Sequence, residues 1–295
     1  MKSSIILGDV RQQALNLPDN YFQCIVTSPP YFGHRIYSGN DPNEIGRETS
    51  PSLYIEHLVE SFNVLRSKLH DNGLLWLNLG DTYKEKTLLG MPWRVALALQ
   101  EKGWILRSDI IWHKPNAMPS SVKDRPTVDH EYIFMFSKNA EYYYDADAIR
   151  EPHVTFSEKS KMRGGRNHFG KRNGTPENGK NSGNHNLHDG RWDQAFNPNG
   201  RNKRTVWEIP LGKFRDTHFA VFPEKLVENC ILASTKTSDF ILDPFCGSGT
   251  TGVVSIKHDR NFVGIELVKK YQIMAQTRIT ELTTQTSLFD LSEVS

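Results

Sequence analysis

Phe240-Ile241-Leu242-Asp243-Pro244-Phe245-Cys246-Gly247-Ser248-Gly249-Thr250-Thr251-Gly252 is the stretch whose reading decides the fold. An apolar run ending on an acid reads as a buried strand, the GxGxxG spacing as a tight turn, and the residues after it as a helix. Asn261 to Glu266 then reads as the next strand. Such a βαβ unit opens at the carboxyl end of its first strand, where glycines let a ligand approach the backbone at a helix N-terminus.

The same alternation runs through the first half of the chain. Residues 22–27 form a short β-rich run that stops at a double proline. A helix is expected over 53–69, with Leu58, Phe62 and Leu65 at helical spacing and Asp71-Asn72-Gly73 closing it. A buried strand at 73–79, a helix at 93–101 ending at Gly103, and strands at 104–112 and 132–136 come after it. Beyond residue 205, Phe222-Pro223 opens another helix, and a final helix carries Tyr271, Met274, Ala275, Arg278, Ile279 and Leu282 on one side. The pattern predicts an α/β fold with a doubly wound, mostly parallel, Rossmann-like sheet.

At 295 residues and 37% hydrophobic content, the chain can bury one large core with a smaller insertion. Cys24, Cys230 and Cys246 lie far apart without ligand spacing, which argues against both a disulfide framework and structural zinc. The apolar run Ile5-Ile6-Leu7 is too short for a signal segment, and no long apolar run comes after it. A cytoplasmic protein without a membrane partner is expected.

Net charge is only +2, but residues 151–205 hold eleven Lys/Arg against five Asp/Glu, so this segment is strongly basic and the remainder acidic. Its Gly, Asn, Lys, Arg and His cannot build a core. The chain therefore divides into 1–150, a basic insertion at 151–205, and 206–295. His153, His168, His185 and His188 lie there without cysteines or paired carboxylates at ligand spacing, and no metal is expected.

Dinucleotides and S-adenosylmethionine both fit a glycine turn of this type. Asp243 at the strand tip would repel a pyrophosphate and attract a methionine ammonium, and Glu266, about twenty residues on, is placed for ribose hydroxyls. No GKS or GKT comes after the glycines, which disfavours a nucleotide P-loop. The balance favours S-adenosylmethionine.

Thr27-Ser28-Pro29-Pro30-Tyr31 ends the strand at 22–27. Its prolines fix the backbone and remove N–H donors, leaving carbonyls and the Ser28 hydroxyl as acceptors. Acceptors aimed at the two hydrogens of an arylamine would localise the nitrogen lone pair, and Tyr31 offers a face on which an extruded base can stack.

These motifs together resemble the permuted β class of DNA amino-methyltransferases, in which the catalytic motif precedes the cofactor motif. Ser28-Pro29-Pro30-Tyr31 matches the catalytic motif in the form usual for N4-cytosine enzymes, and Asp243 to Gly249 matches the cofactor loop. Trp112 to Asn116, Arg125-Pro126 and His130-Glu131-Tyr132 resemble further family elements, so that the likeness covers 5–150 and 206–280. It implies S-adenosylmethionine contacts from Asp9, Thr27, His218, Phe219, Phe222, Asp243, Pro244, Phe245, Cys246, Gly247, Ser248, Gly249, Thr250, Glu266 and Leu267. It also places a target-recognition region at 151–205, where Arg163, Arg166, Lys171, Arg172, Arg201, Lys203 and Arg204, with Lys114 and Arg125 outside it, would meet double-stranded DNA.

The resemblance implies methyl transfer to N4 of a flipped cytosine, in a restriction-modification setting with a cognate endonuclease as genetic partner. N6-adenine methylation is the alternative within the class. A nicotinamide-dependent oxidoreductase would leave the Ser-Pro-Pro-Tyr motif idle, and a non-catalytic DNA-binding module would leave the acidic strand tips unexplained. None of the three cysteines is preceded by a proline, as the nucleophile of C5-cytosine methylation is.

Overall fold

The computed structural model describes residues 2–39, 41–152, 197, 199–212 and 223–292. Its strands are β1 (Ser3–Leu7), β2 (Phe22–Thr27), β3 (Leu69–Leu79), β4 (Tyr83–Lys84), β5 (Thr87–Leu88), β6 (Ile105–His113), β7 (His130–Ser137), β8 (Val206–Glu208), β9 (Phe240–Asp243) and β10 (Asn261–Glu266). Eight of them form one sheet in the order β1-β10-β9-β2-β3-β7-β6-β8, and β4 pairs with β5 in a small ribbon. From β1 to β3 in that order every pairing is parallel. β7 runs antiparallel to both neighbours, β3 and β6, and β8 is parallel to β6. The doubly wound, mostly parallel sheet is present.

β2 is buried at all six positions, as a central parallel strand must be. The chain leaves β2 for β3 through helix Pro51–Lys68, and leaves β9 for β10 through helix Thr250–Lys257. β2 and β9 are neighbours from which the chain winds off in opposite directions, which opens a crevice beyond their carboxyl ends. Both sequence motifs emerge there.

Helix Pro51–Lys68 starts where its sequence dictates: the Ser50 hydroxyl accepts from Leu53 N at 3.2 Å and Pro51 stands in the first turn. Tyr54, Leu58, Phe62 and Leu65 form its buried stripe. They pack with Val95, Ala96 and Leu99 of helix Met91–Glu101 against one face of the sheet. On the other face, Val253 and Ile256 meet Phe262 of β10 together with Ala275 and Ile279 of helix Lys269–Ser292.

Two expectations are corrected. Asp71-Asn72-Gly73 does not close the helix, which ends at Lys68; β3 starts at once, with Leu69 opposite Phe22. The register then jumps to Leu74 opposite Cys24, so the turn-forming tripeptide is a bulge inside the strand. Pro223 stands outside its helix as the N-cap residue, and Glu224 opens it. Strands β1 and β8, at the two edges of the sheet, are additional to the expected set.

The chain resolves into two compact units, Met1–Asp145 with Arg204–Ser295, and Ala146–Lys203. In the second, the described residues include a 3-10 turn at Asp147–Ile149 and an antiparallel bridge between Glu151 and Arg201. Arg201 Nε also meets Glu151 Oε1 at 2.9 Å. Among the described residues no helix is long and apolar enough to cross a membrane.

Candidate active site

The floor of the site is a staple between the tips of β2 and β9. Thr27 Oγ1 donates to Asp243 Oδ1 at 2.7 Å, Thr251 Oγ1 to Oδ2 at 2.6 Å, and Phe245 N to Oδ1 at 3.1 Å. Asp243 is 2% exposed, and burial outweighs these donors to push its carboxyl up to about 6. The acid therefore fastens β2 to the glycine turn.

Above the staple the turn is held open by backbone geometry. Gly249, at φ 81°, caps helix Thr250–Lys257 in a left-handed conformation. A β-carbon on it would also stand 2.7 Å from the Ala275 methyl, so the last helix packs directly on the turn. Arg278 from the same helix donates to the Ser248 carbonyl at 2.6 Å. Glu266 closes the other side, accepting from Gly247 N and Val268 N at 2.8 Å each, and burial pushes its carboxyl up. Asp9 caps the short helix Val10–Gln13 and pairs with Arg11 at 2.8 Å.

The Ser-Pro-Pro-Tyr segment is turned so that its groups have unlike tasks. The Pro30 carbonyl faces the core, where the Tyr54 hydroxyl donates to it at 2.9 Å. The Tyr31 hydroxyl donates to Glu131 Oε2 at 2.6 Å and lies 3.2 Å from Ser28 Oγ. Asn78 of β3 donates to Tyr31 at 2.7 Å and to Glu131 at 2.8 Å, and Lys114 holds the other Glu131 oxygen while lying 4.6 Å from the centre of the Trp112 ring. Burial and then the Glu131 charge hold the Tyr31 phenol protonated.

Tyr31 rests on Gly80, where a β-carbon would come within 2.5 Å of the ring. Gly80→Ala is expected to displace the ring and lower kcat by about tenfold to a hundredfold with little change in cofactor affinity, because small misplacements at a reacting centre are costly. Steady-state kinetics beside cofactor calorimetry would check it; loss of cofactor affinity alone would count against this placement of the ring.

One cavity of about 330 Å³ joins the two motifs. Its wall includes Ser28, Pro29, Pro30 and Tyr31 at one end and Asp243 to Ser248, Glu266 and Leu267 at the other. The volume falls in the range of small-molecule sites. Asp9, Asp243 and Glu266 all contribute to the wall, a poor match for a pyrophosphate and a good one for a ligand carrying an ammonium and ribose hydroxyls.

Comparison with known proteins agrees with this arrangement. The model of the family described as DNA methylase, the N6/N4 methyltransferases, matches residues 22–277. The chain belongs to this family. Among curated relatives of the methylase are the type II methyltransferases M.Cfr9I of Citrobacter freundii, 40% identical over 94% of this chain and 87% of its own, and M.SmaI of Serratia marcescens, 40% identical over 93% and 90%. Among solved structures, the PvuII DNA methyltransferase (cytosine-N4-specific) superposes with a TM-score of 0.68 at 18% identity, covering 97% of this chain and 92% of that one.

The expected residues of the methylase fall into three groups. The four of the catalytic motif line the cavity, as do Asp9, Pro244, Phe245, Cys246, Gly247, Ser248, Thr250, Glu266 and Leu267, with Asp243 at its floor. Thr27 and Gly249 are not part of the wall and act from beneath it, through Asp243 and Ala275. His218, Phe219, Phe222, Arg163, Arg166, Lys171, Arg172 and the four insertion histidines lie outside the described residues.

The expected DNA contacts are differently engaged. Lys114 is drawn by Glu131 into the hydrogen-bond network around Tyr31, and the Arg125 guanidinium lies 3.8 Å from the centre of the Tyr83 ring. Arg204 is exposed, and its carbonyl accepts from the Trp207 indole. Sequence reasoning assigned no task to Asn78 or Glu131, and it passed over Tyr37, Glu44, Tyr271 and Met274, all but Asn78 in the cavity wall. Glu44 accepts from Tyr37 N at 2.6 Å and Ser38 N at 3.1 Å, which ties the segment after Tyr31 over that wall. The GxGxxG spacing carries no signal for such a segment.

Proposed function

We propose that this DNA methylase transfers the methyl group of S-adenosylmethionine to N4 of a cytosine flipped out of double-stranded DNA. The observation that carries this reading is the shared cavity, in which the Ser28 hydroxyl stands at the tip of β2 beside the glycine turn at the tip of β9. Bound there, S-adenosylmethionine supplies an electrophilic methyl group. The solved relative whose description reads cytosine-N4-specific supports the choice of base, and so does serine, a neutral hydroxyl, at the position facing the amino group.

Each residue has a task in this reading. The glycine turn with Glu266 holds the cofactor's ribose, and Asp243 places negative charge beneath the methionine end. Tyr31 supports the extruded base, while Ser28 and the Pro29 carbonyl accept from its amino hydrogens. Serine is too weak a base to remove a proton from the neutral amine, so proton loss comes after methyl transfer. The basic segment 151–205 is the target-recognition region, with Arg163, Arg166, Lys171, Arg172, Arg201, Lys203 and Arg204 as candidate DNA contacts. The 40% identical type II methyltransferases support a restriction-modification role with a cognate endonuclease.

The test is mass spectrometry of nucleosides from unmethylated plasmid DNA incubated with the protein and isotope-labelled S-adenosylmethionine. Label in N4-methylcytosine is expected. Label in N6-methyladenine would keep cofactor and fold but overturn the base.

A further inference from the structure

The hydrogen bonds behind Ser28 have a direction, and it comes from Glu131. The Tyr31 hydroxyl has one hydrogen, which it gives to Glu131 Oε2 at 2.6 Å. Tyr31 is thereby left as an acceptor toward Ser28, 3.2 Å away. Asn78 cannot reverse this order. Its two amide hydrogens have nearer partners in Tyr31 and Glu131, at 2.7 and 2.8 Å, than in Ser28 at 3.2 Å. Turning the amide over would set its oxygen against the Glu131 carboxylate. Ser28 must then donate to Tyr31, and its lone pairs are left for the cavity.

We propose that Glu131 is a positioning residue that acts through Tyr31 to fix the Ser28 hydroxyl as an acceptor for the substrate amino group, and that it is the final acceptor of the proton which that group releases. The inference rests on the amino-methylation reading above. After methyl transfer the nitrogen carries a positive charge and one proton too many. That proton passes to Ser28 Oγ as the Ser28 hydrogen passes to Tyr31 and the Tyr31 hydrogen passes to Glu131. The nitrogen becomes neutral, Ser28 and Tyr31 end as they began, and the carboxylate becomes a carboxyl. No tyrosinate is formed, in keeping with the high proton affinity that burial and the neighbouring carboxylate give Tyr31. Lys114 occupies only the other oxygen, Oε1, so Oε2 remains the receiving atom.

Glu131→Gln keeps the shape and removes the charge and the proton acceptor. It is expected to lower kcat by about a hundredfold, within the range of general acid–base contributions, while the KM for DNA and the Kd for S-adenosylmethionine stay near wild type; the melting temperature falls, because Lys114 loses its counter-charge. Tyr31→Phe keeps the ring and cuts the same chain. The double variant is expected to be no slower than the worse single variant, since residues that act as one unit are strongly non-additive. A Glu131→Gln kcat within threefold of wild type, losses that multiply in the double variant, or a fall in cofactor affinity would overturn the proposal. The product base of the wild-type reaction, read on the same DNA, tests the cytosine reading separately from these ratios.

Discussion

Ser28→Ala is expected to lower kcat by roughly a hundredfold to a thousandfold, the cost of removing one preorganised polar group from a reaction centre, and to leave the Kd for S-adenosylmethionine unchanged within about twofold. The split arises from the location of the hydroxyl. Ser28 Oγ bonds within the Tyr31 and Asn78 network on the β2–β3 side of the cavity, whereas the glycine turn is held by Glu266, Arg278 and Asp243. Deleting the hydroxyl leaves Asn78 its two shorter bonds, to Tyr31 and Glu131, so the network keeps its frame. Single-turnover methylation with saturating cofactor, beside calorimetric titration of the cofactor, separates the two quantities. A parallel loss of cofactor affinity would show that Ser28 helps to build the cofactor site instead.

Most of the fold was legible because its central strands announce themselves. Residues 22–27, 74–79, 240–243 and 261–266 are apolar runs that end at prolines, acids or glycines, and parallel strands buried on both faces must look like that. Edge strands carry less pattern. β8 has only three residues, of which Trp207 alone is buried, and β1 alternates weakly, so neither stands out from a loop. The Asp71-Asn72-Gly73 bulge misled for a physical reason: those residues favour a turn, but pairing of Leu69 and Leu74 with β2 absorbs it within the strand.

The site was legible where one peptide segment carries its chemistry and obscure where the partners come from elsewhere. Ser28 to Tyr31 and Asp243 to Gly249 are contiguous motifs. Glu131 lies 100 residues from Tyr31, and Tyr54 lies 24 from Pro30, and no local spacing links them. The resemblance implied that Lys114 meets DNA; it is held by the ring of Trp112, two residues before it, and by Glu131, which only the antiparallel pairing of β6 with β7 brings alongside. Asp243 was read as a direct ligand for an ammonium. Its three donors make it a scaffold as well, and the balance between these two tasks can be measured.

Asp243→Asn separates charge from scaffold. The amide oxygen can keep accepting from Thr27 and Phe245 at the Oδ1 position, while the amide nitrogen meets Thr251 Oγ1, which can turn to accept. The frame therefore survives the exchange. The charge does not, and for the folded protein alone this is a relief. With its pKa raised from 3.8 to about 6 by burial, the carboxyl is easier to ionise in the unfolded chain. Stability contributed by its protonated form is present below about pH 4 and is lost as pH rises through about 6, leaving a deficit on the order of 3 kcal/mol at neutral pH. The asparagine variant has no such term, so at pH 7.5 its melting temperature should equal or exceed that of wild type, with the difference shrinking as pH falls from 6 toward 4. Cofactor affinity should move the other way, by tenfold or more, because the negative charge beneath the methionine end is gone. Asp243→Ala removes both contributions and is expected to lose cofactor binding and melt lower, since Thr27 and Thr251 are left buried without their acceptor. Thermal melting across pH 4 to 8 and calorimetric titration with S-adenosylmethionine would decide the matter. An asparagine variant that binds the cofactor as well as wild type would mean that Asp243 acts only as the staple between β2 and β9.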